Sequence, residues 1–154
     1  MKKIYHFTQK HFSYEIERDG KIITERERVN KNLKMCANPF IDENLKQSIR
    51  MSTPALMKSY NLLGSYVWFS DNPNGVATAT GDDVGYEFDA HDIGAVRWTE
   101  VMKTLTSKKQ KRHLKSLMDV AIRYGDNPRD WWVTYQSVSL EKSTGRALDM
   151  RMVA

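Results

Sequence analysis

An α+β fold with an antiparallel or mixed sheet and a few flanking helices is what this sequence predicts, and three observations predict it. Short runs rich in aromatic and β-branched residues recur at Ile4–Thr8, Tyr66–Ser70 and Trp131–Tyr135, the composition of strands on a half-buried surface. One long segment from Ser107 has the apolar spacing of an amphipathic helix. Turn residues punctuate the chain between these runs. With 154 residues, at about 150 residues per domain, the chain is read as a single domain, 1–154.

In chain order, Ile4 to Thr8 is the first strand. His11 to Asp19, with Phe12 and Ile16 four apart and Gly20 as a stop, is a short helix. Lys21 to Thr24 reads as a second strand. Glu25-Arg26-Glu27-Arg28 alternates in charge and reads as a solvated face. Asn30 to Pro39 contains three Asn and a Pro and reads as a loop. Ile41 to Met51 is helical by pattern, and Pro54 opens a further turn of helix that ends near Tyr60, before Gly64. Tyr66 to Ser70 is the strongest strand signal, closed by Asp71-Asn72-Pro73-Asn74-Gly75. Thr78 to Asp83 is small and polar, the composition of a mobile loop. Gly85 to Phe88 and Val96 to Trp98 are short strands. Ser107 and Gln110 have capping-box spacing. After them Leu114, Leu117, Met118, Ala121 and Ile122 form one apolar face, expected to pack on the sheet. Gly125 and Asn127-Pro128 end this helix. Trp131 to Tyr135, Val138 to Leu140 and Ala147 to Val153 complete the strands. Alternation places Trp131 and Trp132 on opposite faces of theirs.

Composition narrows the function classes. A lone cysteine, Cys36, excludes an internal disulfide and fits a reducing compartment. The opening Met1-Lys2-Lys3-Ile4 imitates the charged start of a signal peptide, but His6, Thr8, Gln9 and Lys10 interrupt an apolar stretch. No run approaches the length of a membrane span. The expectation is a soluble, cytoplasmic protein with no membrane partner. His6, His11, His91 and His113 have no ligand spacing, so no metal site is expected. A nucleophile elbow, a P-loop and a Gly-x-Gly-x-x-Gly are all missing from the sequence, which disfavours α/β-hydrolase, kinase and Rossmann dehydrogenase chemistry.

Two features point to partners. The net charge is +5, and Lys108, Lys109, Lys111, Arg112 and Lys115 crowd the amphipathic helix. A helix so charged suits a polyanion such as nucleic acid, or a host protein, and equally an ordinary solvated surface. Four Trp are many for this length, and a free indole face can stack on a base or a nicotinamide ring. His6 shares a strand face with Ile4 and Thr8, where the His–Thr pair can hydrogen-bond a ribose or a phosphate.

The order Tyr5-His6-Phe7-Thr8, short helix, Gly20-Lys21-Ile22, then Tyr66-Val67-Trp68-Phe69-Ser70 resembles small ADP-ribosyltransferase-fold proteins. The likeness is to the DarT-type DNA ADP-ribosyltransferases and related small phage and bacterial proteins, and more distantly to the RNA 2′-phosphotransferases. Pro128-x-x-Trp131-Trp132-Val133 followed by Val138 to Glu141 adds to it. The resemblance implies a split sheet with an NAD-binding cleft between its halves. It puts His6, with Thr8 beside it, on a ribose of NAD, and Tyr66, Trp68 and Ser70 near the nicotinamide. An Arg before the second strand corresponds to Arg50. The family's catalytic Glu opens a late strand in which two apolar residues and Val follow it. Here that place holds Asp130, one methylene shorter, with Glu141 as a second acid. The implied activity is NAD-dependent transfer of ADP-ribose to a nucleic acid or protein. The alternative is a non-catalytic phage or mobile-element protein that binds or inhibits a host factor or nucleic acid. A third reading is a nucleic-acid-binding module without chemistry. On the sequence alone the choice between enzyme and binding protein stays open.

Overall fold

A computed structural model describes residues 1–73 and 83–149. The central strand β1 (Lys3–Gln9) runs directly into α1 (Lys10–Asp19). Gly20 ends that helix in the left-handed region (φ 69°), and its N–H closes on the Ile16 carbonyl at 2.8 Å. After β2 (Lys21–Ile22) come two long helices, α2 (Glu25–Ala37) and α3 (Glu43–Leu63). Then follow β3 (Val67–Ser70), β4 (Asp83–Asp89), β5 (Val96–Arg97), α4 (Trp98–Thr104) and α5 (Lys108–Arg123). The chain finishes with β6 (Trp131–Thr134), β7 (Val138–Ser139) and β8 (Gly145–Asp149). Short 3₁₀ turns, Pro128–Asp130 and Leu140–Lys142, precede β6 and follow β7. Of the Thr78 to Asp83 segment only Asp83 is among the described residues, and the predicted last strand is described as far as Asp149.

Six strands form one antiparallel sheet in the order β5-β6-β3-β1-β4-β8, and β2 pairs with β7 separately. The α+β class is therefore as the sequence predicts, and β1 lies beside β3 as expected. The two neighbours of β1 are held very differently. Against β4 the register runs from Lys3–Asp89 to Gln9–Asp83 without a break. Against β3 there is one partnered pair, Tyr5 with Ser70. The sheet thus opens between β1 and β3 beyond this pair.

Residues 25–60 differ most from expectation. Glu25–Ala37 is helix rather than a solvated face and a loop. Thr24 caps it by accepting the Glu27 N–H at 3.3 Å, and Glu25 and Glu27 in its first turn complement the helix dipole. The Asn residues lower helix propensity only slightly, and packing of α2 on α3 overrides that. Pro54 does not start a new turn. It lies inside the continuous α3, where Thr53 Oγ1 and Ser52 Oγ both donate to the Ile49 carbonyl, at 2.7 and 3.2 Å. The sequence also conceals α4, because Trp98, read as strand, opens it.

Apolar side chains gather on both faces of the sheet. One face packs Ile4, Phe69 and Phe88 with Ile16 and Ile22, and partly covers Trp132. The other packs Trp98, Val133, Tyr66, Leu63 and Leu114, and partly covers Trp68 and Trp131. The predicted split of Trp131 and Trp132 across the strand is observed. The apolar face of α5 is not used as expected. Leu114 is buried, whereas Leu117 and Ile122 are 45% and 54% exposed. Trp98 and Val101 of α4 already fill the space over Val133, so α5 lies outside them and contributes little besides Leu114. Leu114→Ala should therefore cost about 2–5 kcal/mol in denaturant unfolding, and Leu117→Ala no more than about 1 kcal/mol. Among the described residues no helix is long and apolar enough to cross a membrane.

Candidate functional site

Where β1 and β3 part, a cleft of about 460 Å³ opens. Its wall takes His6 from β1, Trp68 and Ser70 from β3, and Trp131 from β6. Glu25 from the first turn of α2, Leu117 from α5 and Asp126 from the turn after α5 add to the polar and apolar lining. Its size falls within the ~300–1,000 Å³ usual for small-molecule sites.

His6 spans the opening. Its Nδ1 lies 2.7 Å from the Trp68 carbonyl oxygen, so Nδ1–H donates and Nε2 keeps its lone pair in the neutral ring. Burial lowers the His6 pKa from its ordinary value, and the Trp68 carbonyl opposes that only in part. At neutral pH the ring is uncharged and offers an acceptor. Phe69 packs edge-on against it at 5.8 Å.

Two indoles stand in the wall beside Tyr5, Phe7 and Phe69, and a carboxylate fixes each indole. Glu25 Oε1 accepts the Trp68 indole N–H at 3.2 Å, and its Oε2 accepts the Tyr66 backbone N–H at 2.5 Å. Asp126 Oδ2 accepts the Trp131 indole N–H at 3.2 Å. The two rings meet edge-to-face at 5.9 Å, a favourable aromatic geometry. An uncharged imidazole, two indoles and two carboxylates make a site suited to a planar, electron-poor or cationic group.

The remaining sequence-predicted residues lie elsewhere. Tyr66 is buried, with its ring 5.6 Å from Trp68, and lines a larger neighbouring groove. Thr8 lies with His6 on a separate small cavity of about 120 Å³. Arg50 is exposed on α3, paired with Glu43 at 2.8 Å, and Glu141 is exposed in a 3₁₀ turn. Neither lines the cleft. Asp130 stands just before β6, outside the cleft wall, with its carboxyl beside that of Asp71 and its backbone carbonyl accepting the Asp71 N–H at 2.8 Å. Asp71 in turn accepts the Trp132 indole N–H at 3.1 Å and faces Lys2 and Arg97 at 3.3 and 3.7 Å.

Burial, then the charges of Asp71 and Asp126, raise the Asp130 pKa above 3.8. A raised carboxyl pKa favours the folded state at low pH. That contribution is lost as pH climbs from 3.8 through the folded value. Asp130→Asn should therefore be more stable than the parent at neutral pH, with the difference vanishing near pH 3 in melting curves.

Glu25 and Asp126 escaped sequence reasoning. Thr24-x-x-Glu27 is a capping-box spacing, and it marks Glu25 as the first residue of a helix. Asp126 has no comparable signal, since its role depends on Trp131 five residues on. Among the described residues no three of His, Cys, Asp and Glu are grouped to hold a metal ion. On α5, Lys108, Lys109, Lys111, Arg112 and Lys115 are exposed. They make no ion pair among the described residues, unlike Lys103, which pairs with Glu100 at 3.0 Å. Comparison with protein-family models, with curated proteins and with solved structures finds no match to this chain.

Proposed function

We propose that the chain binds NAD with its nicotinamide half in the cleft between β1 and β3, and transfers ADP-ribose to a nucleophile on an acceptor. One observation carries this reading. His6, Trp68, Ser70 and Trp131 come from three separate stretches of sequence, and they converge on one cleft where the sheet opens. The resemblance noted from the sequence assigns His6, Trp68 and Ser70 to NAD.

The chemistry is dissociative. The glycosidic C–N bond of nicotinamide riboside breaks, its electron pair goes to the ring nitrogen, and neutral nicotinamide leaves. The ribose C1′ is left as an oxocarbenium-like centre, which the acceptor nucleophile attacks, giving up its proton to solvent. His6 Nε2 accepts a ribose hydroxyl. Asp126 lines the cleft, and we assign it the electrostatic support of the developing cation, a role the resemblance alone would give to Asp130. The indoles exclude water from C1′. The unpaired cations of α5 suit a nucleic-acid acceptor, whose phosphates they would contact.

A second reading, a binding protein without chemistry, rests on exposed apolar side chains outside the cleft wall. Phe40 is 95% exposed and Met51 75%. Calorimetry with NAD, alongside mass spectrometry for released nicotinamide, separates the two. Binding with release supports the transferase. The absence of both supports the binding protein.

A further inference from the structure

α5 packs against α3, and the two helices leave a groove of about 590 Å³. Pro54, Met57, Lys58, Asn61 and Leu62 line it from α3, and Lys109 lines it from α5. The α3 residues recur at i, i+3, i+4, i+7 and i+8, so they make one continuous face of that helix. At about 1.5 Å per residue the face runs ~12 Å, a little over two turns.

The groove combines apolar surface with unpaired positive charge. Met57 and Leu62 are half-buried, and Leu62 reaches the core around Trp98. Pro54, Lys58 and Lys109 are exposed. The ion pair on α3 joins Glu43 to Arg50, and neither Lys58 nor Lys109 has one among the described residues. No carboxylate and no aromatic ring lines the groove among those residues. Lys109 and Lys111 are two positions apart, so they lie on different sides of α5, and of the α5 cations it is Lys109 that turns to α3.

We propose that this groove docks an acidic amphipathic helix of a partner protein. Apolar side chains of that helix seat on Met57 and Leu62, and its carboxylates pair with Lys58 and Lys109. A protein fits better than a nucleic acid for two reasons. The groove has no ring on which a base can stack, and the flexible thioether of Met57 adapts to apolar side chains. The groove and the cleft have no lining residue in common, so the inference stands apart from the NAD reading.

Fluorescence anisotropy on the full chain tests it with labelled peptides of about 16 residues, some four helical turns. The probe carries Leu at i, i+3, i+4 and i+7 and Glu elsewhere. One control replaces Leu by Ser, a second replaces Glu by Gln, and an oligo-dT single strand represents nucleic acid. The Leu–Glu peptide is expected to bind roughly tenfold more tightly than either control peptide. Lys58→Glu combined with Lys109→Glu should weaken it roughly tenfold, and Met57→Ser roughly fivefold. Oligo-dT should be indifferent to Met57→Ser. Melting curves check the fold, and the double lysine variant, exposed at both positions, decides the outcome if Met57→Ser unfolds. The proposal is overturned if the Leu–Glu peptide fails to bind, if its Ser control binds equally well, or if the double variant binds it as tightly as the parent. It is also overturned if Met57→Ser weakens oligo-dT as much as the peptide, because nucleic acid is then the occupant.

Discussion

Gly64→Ala is expected to destabilise the protein by roughly 2–5 kcal/mol and to deform the candidate site at the same time. Gly64 has φ 95° and ψ 174°, a region essentially confined to glycine, where a side chain costs about 1–3 kcal/mol of backbone strain. Alanine's methyl would also stand 2.5 Å from the Tyr66 hydroxyl and 2.7 Å from the ring carbon that bears it. Tyr66 is buried against Trp68, Trp98 and Tyr135, so its ring has nowhere to retreat without repacking, typically another ~1–3 kcal/mol. Urea unfolding followed by tryptophan fluorescence measures the loss. A change below about 0.5 kcal/mol, the size of a neutral surface substitution, would mean that Gly64 is not what holds Tyr66 between the two cavities. The same variant should bind NAD more weakly, because Gly64 lines the cleft.

How legible the fold was depended on where each element's information is stored. β1 and β3 were readable because aromatic and β-branched runs carry their own strand preference. The ends of α1 and α5 were readable because Gly20, Ser107 and Gly125 write their caps locally. α2 was not, because Asn30, Asn32 and Asn38 outweigh, within a short window, the packing on α3 that makes the segment helical. α4 was hidden for a related reason. Trp98 follows two strand residues, and only the space over Val133 makes it the buried start of a helix. Leu117 satisfied the apolar period of α5, yet it lines the cleft instead of the core. Periodicity reports which residues share a face and not what covers that face.

The candidate site divides in the same way. His6, Trp68 and Ser70 were found because their strands were found. Arg50 rests on the resemblance and Glu141 on being an acid close in sequence to Asp130, and both lie away from the cleft, Arg50 in a surface pair with Glu43. Asp130 is one residue from Trp131, whose ring lines the cleft, but it ends the 3₁₀ turn before β6, with its carboxyl beside Asp71 and outside the wall. The acids that do line the cleft act through a tertiary relation, each accepting the N–H of an indole distant or offset in sequence.

The central claim is that His6 and Asp126 serve one NAD site, and quantifying nicotinamide released from NAD by mass spectrometry, in parent and variants, tests it most directly. Asp126→Ala removes the carboxylate assigned to the proposed cation. It should lower release by about 10²–10³-fold, the usual cost of losing one preorganised electrostatic partner, while the melting temperature stays within a few degrees. His6→Ala should chiefly weaken NAD binding, since its role is to hold a ribose. Asp130→Asn should leave release within a few-fold of the parent, because that carboxyl stands outside the wall, beside Asp71. If release survives Asp126→Ala but is abolished by Asp130→Asn, the reaction class stands and the assigned acid is wrong. If the parent protein releases no nicotinamide and binds no NAD, the account of this cleft is contradicted.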